Sequence, residues 1–238
     1  MAQNSASKFD ASRAGEYARQ SRIALAGYDA CHELSACMLS AALGEDLPAR
    51  VLVVGAGGTA GEIIAAAALE PQWSFVAVDP SPPMLELARS AIAEADLTDR
   101  VETVSGGVID LAAAPLFDAG IMIGVLHHLA GDAEKLNILQ QIAARLKPGA
   151  PLVVAGNYRP YASQPLLMKA WENRWKMSGA GVEERRAKMD KILQGAQPPQ
   201  SEEAVISLLA GAGFDQPVRF FSSLFWGAWL ARRLPETA

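Results

Sequence analysis

From residue 50 onward, short unbroken apolar runs alternate with longer stretches of helical period. Residues 51–54 (Val-Leu-Val-Val), 75–78 (Phe-Val-Ala-Val), 101–104, 117–123 and 151–155 read as strands. Between them, residues 60–69, 82–95 and 132–146 read as helices. Ser81 and Pro82 mark the start of the second, Asp132 the start of the third, and Lys147-Pro148-Gly149 its stop. Strands that are apolar throughout, rather than at every second position, predict a parallel sheet covered on both faces. The strand–helix rhythm predicts an α/β fold with a doubly wound, mostly parallel sheet of seven strands. Two Ala-rich amphipathic helices precede it, at residues 12–25 and 28–43, with Gly27 as the break and Gly44 as the stop.

The rhythm stops after Gly156. Residues 157–200 carry Tyr158, Tyr161, Trp171 and Trp175, with Met168 and Met177, and a charged helix at 183–191. This stretch is read as a helical insertion packed over one end of the sheet, its aromatics forming a packed face and its charges a solvated one. Beyond it come a helix at 202–210, a turn at 211–214 and two last strands near 218–221 and 224–231. The chain is thus expected to form one domain. Residues 1–10 are expected as a disordered tail, 12–44 as the N-terminal helices, 50–156 as the sheet core, 157–200 as the insertion and 201–234 as the last helix and strands.

Composition narrows the partners. The 238 residues are 50% apolar and 20% charged, with a formal net charge of -5. The chain therefore lacks the basic footprint of a nucleic-acid binder. No apolar run approaches the ~20 residues needed to span a bilayer, and the polar N-terminus has no secretory signal. A cytoplasmic protein that meets no membrane is expected, with a homodimer left open. Cys31 and Cys37 lie six positions apart on a helix and point to different faces, so neither a disulfide nor a shared metal is expected. Three scattered histidines give no metal-binding pattern.

Candidate chemistry begins at Gly55-Ala56-Gly57-Gly58-Thr59-Ala60-Gly61, between the first strand and its helix. Such a turn lets a ligand approach backbone N–H groups without Cβ interference. Gly55, Gly57 and Ala60 also satisfy the dinucleotide pattern G-x-G-x-x-A, which leaves an NAD-binding oxidoreductase or sensor open at this point. Asp79, 24 residues after Gly55 at the end of the second strand, is placed to accept the hydroxyls of a ribose.

The residues on the C-terminal side of Asp79 separate the readings. Asp79-Pro80-Ser81-Pro82-Pro83-Met84 resembles the D-x-S-x-x-M segment of class I S-adenosylmethionine-dependent methyltransferases. Phe117-Asp118, Val125-Leu126-His127-His128-Leu129 and Leu146-Lys147-Pro148-Gly149 resemble further segments of that superfamily, in the same order and at matching distances. The resemblance implies the Rossmann-like class I methyltransferase fold, S-adenosyl-L-methionine as cofactor and methyl transfer to a small-molecule acceptor. It implies a cofactor site made of Gly55, Ala56, Gly57 and Gly58, of Asp79, Pro80 and Met84 (the last against adenine), and of Gly107, Val108 and Ile123. His127 and His128, at the mouth of the fourth strand, are the candidate catalytic bases. Tyr158 and Arg159, just past the fifth, are the candidates for touching the acceptor.

Two positions depart from the superfamily pattern. Val53 stands where most members carry an acid that organises the methionine end of the cofactor, and Gly107 replaces an aspartate that serves adenine. The flanks resemble the YecO-like enzymes, which include carboxy-S-adenosylmethionine synthase of tRNA wobble-uridine modification. Leu25-Ala26-Gly27-Tyr28 is similar to their V-P-G-Y segment and makes Tyr28 a cofactor candidate. The synthase's arginine before the A-G-F turn is missing, for Ser207-Leu208-Leu209-Ala210 stands there. Ordinary methyl transfer is therefore the expected activity, and the synthase the alternative.

Overall fold

The structure, a computed structural model, describes residues 11–235, and side chains from Tyr17 onward. The expected N-terminal tail lies outside the described residues. Seven strands form one sheet: β1 (Arg50–Val54), β2 (Ser74–Asp79), β3 (Val101–Ser105), β4 (Ala119–Ile123), β5 (Pro151–Asn157), β6 (Val218–Ser223) and β7 (Trp226–Arg232), in the order β3-β2-β1-β4-β5-β7-β6. The pairs among β1 to β5 are parallel, as continuous apolar runs demand; β7 is antiparallel to both β5 and β6. The common dinucleotide-binding order has no such antiparallel strand between its last two neighbours.

Two layers of helix cover the sheet. On one face, α2 (Tyr28–Leu43), α3 (Gly61–Leu69) and α4 (Pro82–Glu94) close a core around Val51, Val53, Ala77, Ile121 and Val153. On the other, α5 (Gly131–Ala143) and α8 (Glu202–Gly211) close over Leu52, Val54, Val76, Met122 and Leu152. Neighbouring strand residues thus divide between the two cores, which is why none of these positions tolerates a polar side chain. The β3-to-β4 crossover has no full helix, only a 3-10 turn at Val108–Asp110.

Element ends depart from the sequence reading for local reasons. Ser81 precedes α4 but its hydroxyl makes no cap; its N–H is taken by Asp79 Oδ1 at 2.8 Å. Asp132 lies inside the first turn of α5 rather than capping it, and Glu134 accepts the Ala130 N–H instead. Phe117 makes only an isolated bridge to Leu146, so β4 begins at Ala119. Cys31 is buried and Cys37 exposed, on different faces of α2.

The insertion after β5 folds as α6 (Pro165–Met177) and α7 (Val182–Gly195), and it fastens onto α1 (Ala11–Ala24). Trp171 Nε1 donates to Ala24 O at 2.8 Å, and Arg174 donates to the carbonyls of Ile23 (2.9 Å) and Arg22 (2.8 Å). These carbonyls are the unpaired C-terminal groups of α1, where a guanidinium is also favoured by the helix dipole. Met177 is exposed and takes no part in the packed aromatic face. Among the described residues, no helix is long and apolar enough to cross a membrane.

Candidate active site

The strand order reverses between β1 and β4, so the segments leaving their carboxyl ends diverge and open a crevice. The turn after β1 forms one wall. Its geometry is set by Asp79 at the end of β2: Oδ2 accepts the Gly57 N–H at 2.9 Å, while Oδ1 holds Ser81 N–H. Gly58 N–H bonds Met84 O at 2.9 Å. One carboxylate thereby ties the glycine turn to the start of α4.

The glycines answer to this packing. A Cβ on Gly57 would lie 2.5 Å from Met84 Cβ and 2.6 Å from Asp79 Oδ2. Gly58, at φ +112°, has Tyr17 Cε1 2.2 Å from where a Cβ would stand. Three glycine positions thus serve close approach of protein to protein, Gly55 meeting Val125 in the same way. Glycine richness is explained by the fold alone, and the case for a ligand rests on the crevice.

Two adjoining hollows occupy the crevice and share Tyr17, Gly55, Gly57, Ile123, Gly124 and His128. The smaller, about 90 Å³, is bounded by Asp79, Pro80, Met84, Val125 and Leu129. The larger, about 580 Å³, runs from Gly55, Gly57, Thr59, Glu62 and His32 to Asn157, Tyr161, Trp171, Trp175 and Trp226, with Lys188 and Lys191 of α7 on its wall. Two of its lining rings, Tyr161 and Trp171, contact each other and the buried Phe225 at centroid distances of 5.1–5.7 Å.

Electrostatics differ along this cavity. Burial pushes the Asp79 carboxyl up, opposed by its two backbone N–H bonds. Burial pushes the Glu62 carboxyl up to about 7 and the His32 imidazole down to about 4, with His32 Nε2 and Glu62 Oε2 3.6 Å apart. Tyr28 sits edge-on to His32 at 4.2 Å, and its hydroxyl bonds the Thr59 hydroxyl. Burial, aided by Glu62, pushes that phenol up to about 12. Tyr17 lies among Tyr28, Glu62 and Asp79, and burial raises its hydroxyl too.

Of the residues expected from sequence, Tyr28, Gly55, Gly57, Asp79, Pro80, Met84, Ile123, His127 and His128 line the crevice. Others do not reach it. Ala56 is wholly buried beneath the turn, and Gly58 is covered by the Tyr17 ring. Gly107 spends its N–H on Asp110 Oδ2 at 2.8 Å, and Val108 is packed in the core.

Tyr158 and Arg159 are corrected as acceptor contacts. β5 runs on to Asn157, and pleat alternation then sends Asn157 to the cavity and Tyr158 to the opposite face. There Tyr158 packs edge-on to Trp229 at 5.1 Å, with the Arg159 guanidinium 4.8 Å over its ring. Helix α7 also departs from expectation. Its charged face is not merely solvated, for Lys188 and Lys191 line the cavity and the Lys188 ammonium lies 5.5 Å over the Trp175 ring.

The two histidines separate in role. His127 is buried; its Nδ1 accepts the Asn157 N–H at 3.4 Å and its carbonyl accepts Gln197 N–H at 2.7 Å. An accepting Nδ1 puts the ring proton on Nε2, so His127 offers a donor rather than a base. His128, its ring 4.3 Å from that of His127, borders both hollows.

Sequence reading missed Tyr17, His32, Thr59, Glu62, Asn157 and Trp226. Glu62 carried a usable signal: it falls on the buried stripe of α3 with Ile63, Ala66 and Ala67, where a carboxylate has no packing reason to be. Tyr17 carried none, because its position depends on how α1 folds back over the sheet.

The sequence profile of the methyltransferase domain family matches residues 52–152. Among curated proteins no match was found. The fold is similar to that of the S-adenosylmethionine-dependent methyltransferase SibL in its apo form, at TM-score 0.61 and 23% identity, covering 88% of this chain and 57% of that one. It is similar to the mitomycin 7-O-methyltransferase MmcR at TM-score 0.61 and 22% identity, covering 85% and 54%. Human N-acetylserotonin methyltransferase, solved in complex with SAM, matches at TM-score 0.58 and 16% identity, covering 96% and 61%. The chain therefore spans somewhat over half the length of these proteins. Residues 52–152 match the methyltransferase domain family, and the chain around them has the Rossmann-like methyltransferase fold.

Proposed function

We propose that the chain is an S-adenosyl-L-methionine-dependent methyltransferase acting on a small-molecule acceptor. The observation that carries this is Asp79: a buried carboxylate fixed at the end of β2, facing a crevice that opens into an aromatic chamber. A carboxylate has about four lone-pair sites, and two are used by Gly57 and Ser81. Two remain for the hydroxyls of a ribose, and the apolar floor of Met84, Val125 and Leu129 suits a purine. The bound cofactor would supply an activated methyl group on a sulfonium, with its own leaving group.

The protein's tasks are then alignment and exclusion of water. Ile123, Gly124 and His128 border both hollows and mark the passage from donor to acceptor. His128 is the candidate to hold or take the acceptor proton; His127 orients it from below. Tyr161, Trp171, Trp175 and Trp226 favour a planar, largely apolar acceptor, and Lys188 and Lys191 favour one carrying an anionic group. Leu208 and Leu209, in the segment where the carboxy-cofactor synthase is expected to place its arginine, are packed in the core. That gives the synthase reading no support.

Titration calorimetry with S-adenosylmethionine, S-adenosylhomocysteine and NAD tests the proposal. Micromolar-range binding of the two sulfur nucleosides and none of NAD is expected; NAD binding alone would overturn it. A carboxylated donor carried through purification, seen by mass spectrometry, would replace methyl transfer with the synthase activity.

A further inference from the structure

Val53, at the position where the methionine end of the donor is usually organised by an acid, is fully buried and apolar, packed between α3 and the sheet. No carboxylate on β1 can reach the cavity. Glu62 lies further along the chain, at the start of α3, and lines the same hollow as Gly55, Gly57 and Thr59. We propose that Glu62, seated against His32, is the carboxylate that receives the ammonium of the donor's amino-acid tail, replacing the acid that β1 lacks. The proposal rests on S-adenosylmethionine being the donor and adds the residue that reads its tail.

The surroundings of Glu62 support a cationic guest. From α1 it is faced by Tyr17, from α2 by Tyr28, Cys31 and His32, and from the end of β2 by Asp79. Three of these five, the two phenols and the thiol, are uncharged near pH 7 and burial raises them further, and Asp79 is an acid itself. His32 is the ion-pair-range neighbour among the described residues, and burial keeps its imidazole neutral near pH 7. Lys188 and Lys191 belong to the same cavity but enter from α7, with the aromatic wall. Among the described residues no cation pairs with Glu62, and a buried carboxylate without a compensating charge is unfavourable, which is why its proton is held tightly. An ammonium arriving beside Gly55 would supply that charge and release the proton.

Two nucleosides separate this role from a general one. S-adenosylhomocysteine carries the amino-acid tail, and 5′-methylthioadenosine lacks it. Glu62→Gln keeps the side-chain volume, and thermal unfolding monitors its fold. The variant is expected to bind S-adenosylhomocysteine about 10- to 100-fold more weakly, the loss of one charge-assisted hydrogen bond, with methylthioadenosine affinity unchanged within twofold. In the wild type, the ratio of the two affinities should rise from pH 5.5 to pH 8 and stay flat in the variant. Equal losses for both nucleosides, or none for either, would overturn the assignment. A wild type that binds neither would instead sink the donor reading itself.

Discussion

Replacing Asp79 by Asn is the most direct probe of the crevice, because the consequences can be counted atom by atom. The wild-type carboxylate accepts Gly57 N–H through Oδ2 and Ser81 N–H through Oδ1. An amide of the same shape has one accepting oxygen, so its NH2 group must face one of these two N–H donors. One backbone donor in a buried turn is then unsatisfied, at a cost of ~1–3 kcal/mol in folding stability. For a domain of this size that lowers Tm by roughly 2–10 °C. Ligand binding loses more specifically. With two of about four lone-pair sites used by the backbone, the carboxylate has two left for sugar hydroxyls, and the amide has one. Losing a hydrogen bond to a charged acceptor costs ~1.5–3 kcal/mol, which is about 10- to 100-fold in Kd for S-adenosylhomocysteine. Calorimetry on the folded variant, checked by circular dichroism, measures it. Affinity within threefold of wild type, with the Tm shift present, would refute the ribose assignment while leaving the structural role of Asp79 intact.

Other consequences can be checked with the same protein. Gly57→Ala places a methyl 2.5 Å from Met84 Cβ, so the turn must shift; donor binding should fall at least tenfold and Tm should drop, as calorimetry and thermal unfolding will report. His128→Ala is expected to lower kcat with little change in Tm. His127→Ala should instead lower Tm, because it removes a buried ring that supports Asn157 and Trp226; steady-state kinetics and unfolding scans tell the two apart. For Glu62 the sign comes from a folded-state carboxyl at about 7 against an ordinary value of 4.5. The folded protein binds the proton more tightly, so stability is lost as pH rises from about 4.5 to about 7. The loss amounts to roughly 3 kcal/mol. His32, depressed to about 4, contributes in the opposite sense, stability being lost as pH falls below its ordinary value of 6.5. Denaturant titrations of the ligand-free wild type and Glu62→Gln should therefore agree near pH 4.5 and diverge by pH 8, with the variant the more stable. Parallel curves would show that Glu62 is not under strain.

Much of the molecule is determined by the chain alone, because the constraints involved are local. Short unbroken apolar runs rich in β-branched residues, such as residues 51–54, read as strands buried on both sides, whereas the Ala-rich run at 63–69 is helical. The glycine turn, Asp79 and Met84 are separated by fixed element lengths, so their convergence at one end of the sheet is a consequence of the strand–helix rhythm. Tyr28 and the 127–128 histidine pair also line the cavity, but segment resemblance rather than the strand–helix rhythm picked them out. Tertiary structure alone decided the rest. Whether a residue just past β5 faces the cavity depends on where the strand stops, and two extra residues of β5 gave the cavity Asn157 and the far core Tyr158. Glycine content read as a ligand signal is accounted for by Val125, Met84 and Tyr17, partners distant in sequence. The outer half of the cavity is assembled from α1, α6 and α7, whose amphipathic patterns say which face is buried but not against what. Period specifies a buried stripe; only the packing of one stripe on another brings Tyr17, Glu62, Trp171 and Lys191 around a common space.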